Sequence, residues 1–373
     1  MPPSAASSGT ASSIRGLGQA PGTPPLYAVI LAGGRGERLW PRVRRNHPKP
    51  FVPLLGRRTL FEATAARARA LAGPDRVVVV CGADQVRWVR RQAPWIAPDR
   101  ILREAVGRNT AAAVALAALW VERRAGDGLL VVLPADHLVA PTGRFVRAVR
   151  RAARAVARRG GLALLGVPAA NPDTGLGYVS LGGPAGFPGV RRAAGFHEKP
   201  SKATAARWVR GRRHLWNCGI FVGRASTFLA ELGRLAPRVL APLRRLPIPS
   251  RAPWSVPGRA LARVPSISFD RAVLERSRDL LIVPATYRWS DLGTWPAIAA
   301  ARGDGRPAQD GAVLASGSGG CAAFNPGGLT AFVGVQDLVM VREGNVVLVC
   351  RRDASQALRD IVAGLRGRLA RHA

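Results

Sequence analysis

Lysine is almost missing from this 373-residue chain, in which Lys49, Lys199 and Lys202 stand among 56 basic residues. Where nearly every cation is arginine, a retained lysine points to a place that needs a compact ammonium and not a broad planar fork. Two of the three have a proline beside them, in Pro48-Lys49-Pro50 and Glu198-Lys199-Pro200. Acidic residues are scarce as well, 22 against 56, so the formal charge is +34. Such an excess can mark a nucleic-acid binder, but the arginines are spread along the chain and no nucleic-acid-binding module is visible. No nucleic-acid partner is expected.

Cysteine is limited to Cys81, Cys218, Cys321 and Cys350, far apart and without a C-x-x-C pair. That excludes a zinc ribbon and a disulfide framework, and makes a reducing cytoplasm the expected setting. Long apolar runs are lacking too. The longest uncharged helix-like run, Ala111 to Val121, is too short to cross a bilayer, so no membrane partner is expected. Residues 1–25 are rich in Ser, Ala, Gly and Pro and lack the apolar stretch of a signal peptide. They read as a disordered tail.

What is present from residue 26 is alternation. Apolar strand-like runs at 27–31, 77–81, 129–133 and 162–167 are separated by stretches with helical periodicity at 59–71, 84–92, 110–124 and 143–158. This pattern predicts an α/β layer fold with a mainly parallel sheet, whose ligands bind beyond the carboxyl ends of the strands. After about 170 the chain turns to short strands, and 236–265 reads as loop or loose helix. From about 305 it is Gly-rich with β-type alternation around a Glu343-Gly344-Asn345 turn, consistent with a few coils of a β-helix. A final amphipathic helix is expected over 354–369. The expected organisation is a tail (1–25), a catalytic domain (26–304) and a small C-terminal β domain with a terminal helix (305–373).

The first strand runs into Leu31-Ala32-Gly33-Gly34-Arg35-Gly36, which fits neither a Walker A loop nor the G-x-G-x-x-G spacing of a dinucleotide fold. Glycines after a strand still bring backbone N–H groups close to a ligand, often a phosphate. Arg35, Arg38 and Lys49 add positive charge. Asp136 ends a very apolar strand, where a carboxylate is costly unless it meets a cation or a metal. Asp291, in Trp289-Ser290-Asp291-Leu292-Gly293, is a second candidate. Two hard carboxylates near phosphate suit Mg²⁺. Each feature has a plainer reading alone: Asp136 as a helix cap, Asp291 as an Asx turn, the glycines as a tight corner.

Several motifs follow one another in order: Leu31 to Pro41, Pro48-Lys49-Pro50-Phe51, Glu104 with Arg108-Asn109-Thr110, Pro134-Ala135-Asp136-His137, and Gly177-Tyr178. Phe196 to Pro200, Trp216 to Phe221, Ser266-Ile267-Ser268-Phe269-Asp270 and Trp289 to Trp295 complete the series. Over about residues 26 to 365 this set resembles the sugar-1-phosphate nucleotidyltransferases, in particular their mannose/guanine branch. Departures are Glu37 where many members have Thr, Arg42-Val43 for Leu-Ser, and Asn345 where Asp is common. The longer relatives' cupin-like isomerase domain is not seen, so one activity is expected.

The resemblance implies a Rossmann-like, GT-A-like α/β domain followed by a left-handed β-helix-like domain. It also implies transfer of GMP from GTP to mannose 1-phosphate, with Mg²⁺ as cofactor, by a homodimer. Residues Leu31, Ala32, Gly33, Gly34, Arg35, Arg108, Asn109 and Thr110 would bind the nucleotide, with Arg38 and Lys49 on the phosphates that leave. Gly177, Glu198, Lys199 and Asn217 would bind the sugar phosphate, and Asp136 and Asp291 the metal. His137 and His197 are assigned packing or supporting roles. Three other readings are a different sugar or base, a non-catalytic nucleotide-sugar-binding subunit, and a basic nucleic-acid binder.

Overall fold

The computed structural model describes residues 24–34, 36–249, 253–302 and 309–372. The expected tail lies outside the described residues except for Pro24 and Pro25, and Arg35 lies outside them altogether.

Apolar runs, uncharged except for the Arg103-Glu104 end of the third, form strands buried on both faces. They are β1 (Leu26–Leu31), β2 (Val77–Gly82), β3 (Ile101–Glu104) and β4 (Leu129–Pro134). The short β5 (Leu138–Ala140) precedes β6 (Leu162–Pro168), β7 (Gly177–Pro184), β8 (Arg191–Glu198) and β9 (His214–Arg224). Then come β10 (Ser255–Val256), β11 (Leu280–Pro284) and β12 (Arg288–Ser290). Ten of these form one sheet in the order β10-β3-β2-β1-β4-β9-β6-β11-β8-β7.

Parallel pairing holds from β10 to β4, as expected. Beyond β4 the sheet is mixed, because β9 inserts antiparallel between β4 and β6. The short connection between β7 and β8 likewise permits only antiparallel pairing.

Side chains alternate across the sheet. Ala28, Ile30, Val77 and Val79 enter one apolar core, beneath the helices Leu60–Ala72 and Thr142–Arg159. Val29, Val78 and Val80 enter the other, with the helix Asn109–Ala125. That helix is itself covered by the helices Ala225–Leu235 and Pro237–Arg244. Ala111 through Val121 are therefore all buried, which accounts for their uncharged run. The helix Leu60–Ala72 starts with a capping box: Glu62 N donates to Thr59 Oγ1, and Thr59 N donates to Glu62 Oε2.

The C-terminal strands β13 (Gln309–Ser316), β14 (Ala322–Val333), β15 (Leu338–Glu343) and β16 (Val346–Arg351) form a separate sheet. The first three pair in parallel, and β15 and β16 close a hairpin at Gly344-Asn345. Phe324, Val341 and Leu358 pack with Leu39, Trp40 and Trp295 into a third core. The expected terminal helix is broken. It consists of a 3-10 turn at Arg352–Ala357, a short α-helix at Leu358–Ala363 and a second 3-10 turn at Gly367–His372. Gly364 sits at the interruption, and Gly367 has a positive φ of 56° that an α-helix does not accommodate. Within 236–265 the chain forms the helices Pro237–Arg244 and Gly258–Ala262 and strand β10.

Candidate active site

The glycine loop leaves β1 at the carboxyl edge of the sheet, tied to both neighbouring strands. Ala32 N donates to Val80 O at 2.8 Å, and Ala135 N donates to Leu31 O at 3.0 Å. Beyond these anchors Gly33 and Gly34 are exposed, leaving their backbone open to a ligand. Gly36 has φ 74°, and a Cβ there would lie 2.4 Å from Lys49 Cβ. Only glycine lets the loop pass so close to the lysine.

Lys49 begins the 3-10 turn Lys49–Phe51 and is buried, with 4% of its surface exposed. Its Nζ lies 2.8 Å from Asp136 Oδ2 and donates to the Asp291 carbonyl oxygen at 2.6 Å. Burial opposes charge on Asp136. The Lys49 ammonium, His137 and the hydrogen bond from Lys49 outweigh it, so this carboxyl titrates below the usual carboxylate range.

Asp136 does not cap the next helix, which starts at Thr142 with Pro141 in the cap position. It lies instead in the turn between β4 and β5. A two-stranded ribbon of β5 and β12 pairs Leu138 with Ser290, which carries the following residue, Asp291, back towards Asp136. Asp291 does make the Asx turn allowed by its sequence, since Gly293 N donates to Asp291 Oδ1 at 3.2 Å. The two readings coexist. Arg38 is drawn in from the turn Glu37–Leu39: a Cβ on Gly293 would be 2.4 Å from Asp291 Oδ2 and 2.9 Å from an Arg38 guanidinium nitrogen. Burial lowers the Arg38 pKa, and Asp291 opposes that shift.

Arg108 immediately precedes the buried helix, and Asn109 and Thr110 begin its first turn. Arg108 Nε donates to Leu261 O at 2.8 Å, so this guanidinium anchors the turn to the chain around 261. Asn109 adopts a left-handed φ of 64°, and its Oδ1 accepts from Thr110 N. Thr110 Oγ1 accepts from Phe269 N at 2.8 Å.

The sugar-side candidates come together where β7, β8 and β9 adjoin. Gly177 pairs with Glu198, and Tyr178 pairs with Trp216 next to Asn217. A Cβ on Gly177 would be 2.8 Å from Glu198 Oε2, so a larger residue would displace that carboxylate. Lys199 has a left-handed φ of 52°, and its Nζ lies 3.2 Å from Glu198 Oε1. Asn217 is buried, and its Nδ2 donates to Asp270 Oδ1 at 2.9 Å. The two sets meet through β9: a Cβ on Gly219 would be 3.1 Å from Pro134 Cγ and 3.5 Å from His137 Cε1. His137 Nδ1 lies 3.2 Å from Cys218 O, and the His197 ring lies 4.9 Å from that of Trp208, tilted by 35°, contacts that suit supporting roles for both.

Glu104 and Asp270 lie within the sequence motifs, and the resemblance assigns neither a role. Glu104 ends β3 with 5% exposure, its Oε1 has no hydrogen-bond partner among the described residues, and its Oε2 is 3.9 Å from the Cβ position of Gly33. Burial pushes its pKa up to about 7. The available signal was its place: a carboxylate at the carboxyl end of an apolar strand, beside the glycine loop.

Open backbone at a glycine loop, two cations and two aspartates thus lie together at the carboxyl edge of the parallel half-sheet, a set of groups chemically able to hold a nucleotide phosphate. Residues 27–304 match the nucleotidyl transferase family, and the chain belongs to it. Residues 313–365 match the mannose-phosphate isomerase/GMP-like beta-helix domain. The alginate biosynthesis protein AlgA of Pseudomonas putida is 36% identical over 91% of this chain and 71% of its own length. The mannose-1-phosphate guanylyltransferase of Escherichia coli is 34% identical over 90% of this chain and 73% of its own. A crystal structure from Thermus thermophilus, titled mannose-1-phosphate geranyltransferase, is 33% identical with a TM-score of 0.81, covering 92% of this chain and 99% of that one. Members of the nucleotidyl transferase family generally use a divalent metal.

Proposed function

We propose that this chain transfers GMP from GTP to α-D-mannose 1-phosphate, giving GDP-mannose and pyrophosphate, with Mg²⁺ as cofactor. The carrying observation is the contact of Lys49 with both Asp136 and the Asp291 backbone, beside Arg38 and the glycine loop. Similarity to the guanylyltransferase of Escherichia coli supports the substrate pair.

The reaction needs no protein nucleophile. A phosphate oxygen of mannose 1-phosphate attacks the α-phosphorus of GTP. A new P–O bond forms there while the bond to the α–β bridging oxygen breaks, and pyrophosphate leaves with that electron pair. The chain supplies position and charge. Backbone N–H groups of Gly33 and Gly34 receive the phosphates, and Arg38 and Lys49 balance the charge that grows on the departing pyrophosphate. Lys199 holds the sugar phosphate, while Gly177, Glu198 and Asn217 face the sugar.

The donor set suits a hard cation. Asp136 and Asp291 are oxygen donors, and among the described residues no group of three or more His, Cys, Asp or Glu is arranged to hold a metal ion by itself. Mg²⁺ takes few protein oxygens and fills its remaining positions with phosphate oxygens and water. Bound by these two aspartates, Mg²⁺ would neutralise phosphate charge as a Lewis acid.

Guanine suits Glu104. The Watson–Crick edge of guanine offers N1–H and N2–H₂ side by side, and a carboxylate accepts both. Uracil and thymine present one such donor, flanked by carbonyl oxygens that a carboxylate would repel. A homodimer and a cytoplasmic setting belong to the same proposal; among the described residues no helix is long and apolar enough to cross a membrane.

A panel of four nucleoside triphosphates against mannose, glucose and galactose 1-phosphates, read as pyrophosphate release, tests the substrate pair. GTP with mannose 1-phosphate is expected to give the highest kcat/KM. A higher value for another pair would replace it.

A further inference from the structure

The stretch Ser266 to Asp270 stands out in the sequence, and the reaction described above leaves it without a part. Its backbone is fastened to the nucleotide turn. Ala111 N donates to Ile267 O at 3.2 Å, and Phe269 N donates to Thr110 Oγ1 at 2.8 Å. Phe269 is fully buried with its ring near those of Phe221 and Phe228, which fixes the segment against the sheet.

The next residue faces the sugar side. Asp270 opens a π-helical turn, Asp270–Leu274, a geometry often found at functional sites. Its Oδ1 accepts from Asn217 Nδ2 at 2.9 Å, and Asn217 Oδ1 accepts from Gly219 N at 3.0 Å. Both ends of the amide are therefore engaged, which sets the orientation of its plane. Farther along the same segment, Glu275 Oε1 accepts from Glu198 N at 2.9 Å. Residues 267–275 thus touch Thr110 on the nucleotide side and both Asn217 and Glu198 on the sugar side.

A purely structural residue at this place would cost less if it were apolar. Burial, and then the nearby Glu198 charge, push the Asp270 carboxyl up to about 7, with Lys199 opposing the shift. A carboxyl in such surroundings is unfavourable to bury, so its presence asks for a use.

We propose that Asp270 is a positioning residue of the sugar-phosphate site. Its carboxyl orients the Asn217 amide and, through Phe269 and Thr110, joins that site to the nucleotide turn. The proposal rests on the sugar-nucleotidyl transfer set out above. It assigns Asp270 to sugar-phosphate recognition and not to the chemical step.

Asp270→Ala and Asp270→Asn, assayed with each substrate varied in turn and compared by thermal melting, test it. A hydrogen bond to a charged group contributes about 1.5–3 kcal/mol, so the alanine variant should raise the KM for mannose 1-phosphate roughly 10- to 100-fold. The KM for GTP should change less than about threefold and the melting temperature should not fall, since a buried carboxyl has been removed. Asparagine keeps an oxygen that can accept from Asn217 Nδ2, and should bring the KM back to within a few-fold of wild type. Unchanged kinetics in the alanine variant would overturn the proposal. So would equal rises in both KM values with a lower melting temperature that asparagine does not relieve. If wild type proves to use another substrate pair, the functional reading fails separately, and the same KM split is read on the pair it does use.

Discussion

The Lys49 ammonium bridges two strand ends, 2.8 Å from the Asp136 carboxylate and 2.6 Å from the Asp291 carbonyl oxygen. Both contacts belong to a nearly fully buried side chain, and Gly36 passes against its Cβ. Lys49→Arg therefore has to place a larger planar group where no space is left. Turnover should fall on the order of 100-fold, the usual scale for losing one preorganised donor to developing charge. Lys199→Arg should instead raise the KM for the sugar phosphate and leave kcat nearly unchanged. Lys202, exposed at the start of the helix Lys202–Gly211, should accept Arg silently. Steady-state kinetics of the three variants check this, and identical behaviour in all three would make the lysines accidents of composition.

Asp291 has a structural and a chemical role that substitution separates. Asp291→Asn retains an oxygen for the Asx turn to Gly293 N but lacks the negative charge needed to anchor a divalent cation. The folded variant should lose turnover on the order of 100-fold or more, and so should Asp136→Asn. Titrating Mg²⁺ at fixed GTP is the measurement. Near-normal turnover in either variant would remove that residue from the metal site.

Glu104 predicts a pH dependence with a definite sign. Its pKa is raised to about 7, so below that pH the group carries a proton and cannot accept both guanine donors. The KM for GTP should fall as pH rises through about 7. Glu104→Gln keeps one acceptor and loses the other, so its KM should rise about 10- to 100-fold, the scale of one bidentate base contact. Its pH dependence should flatten in the same window. The same raised pKa makes ionisation unfavourable to the fold, so Glu104→Gln should not lower stability at pH 8.

Removing residues 305–373 should uncover the third core. The Trp295 and Phe324 rings lie 4.6 Å apart, Leu39 and Leu358 are both buried there, and Trp40 Nε1 donates to His372 O. Leu39 and Trp40 directly follow Arg38, so the cut loosens the phosphate loop as well as exposing apolar surface. Aggregation or strong binding of a hydrophobic dye, with lost turnover, is the expected outcome. A soluble and fully active truncation ending near 304 would contradict it. Deletion of 1–24 should leave activity intact.

The strands of the parallel half-sheet were legible because runs such as Val77-Val78-Val79-Val80 are buried on both faces and carry no competing signal. The helices between them were legible to within about a residue or two, since their apolar periodicity is strong. The meeting of Asp136 with Asp291 was not readable from periodicity. It depends on β5 and β12, three residues each, too short to show a pattern. The assignment of site residues comes from resemblance, and in the structure Arg108 donates to the carbonyls of Leu261 and Ala262. Glu104 is marked in the sequence only by its place at the end of an apolar strand, whereas the contact of Asp270 with Asn217 joins distant segments and leaves no local mark. The expected terminal helix runs across Gly364 and Gly367, where the chain breaks it.

Label transfer from GTP tests the central claim most directly. Purified chain with Mg²⁺, mannose 1-phosphate and GTP labelled at the α-phosphate should place the label in GDP-mannose, while γ-labelled GTP should give labelled pyrophosphate and no labelled sugar. Label passing from the γ-phosphate to the sugar, release of inorganic phosphate instead of pyrophosphate, or no transfer by a folded chain would contradict guanylyl transfer at the Lys49–Asp136–Asp291 site.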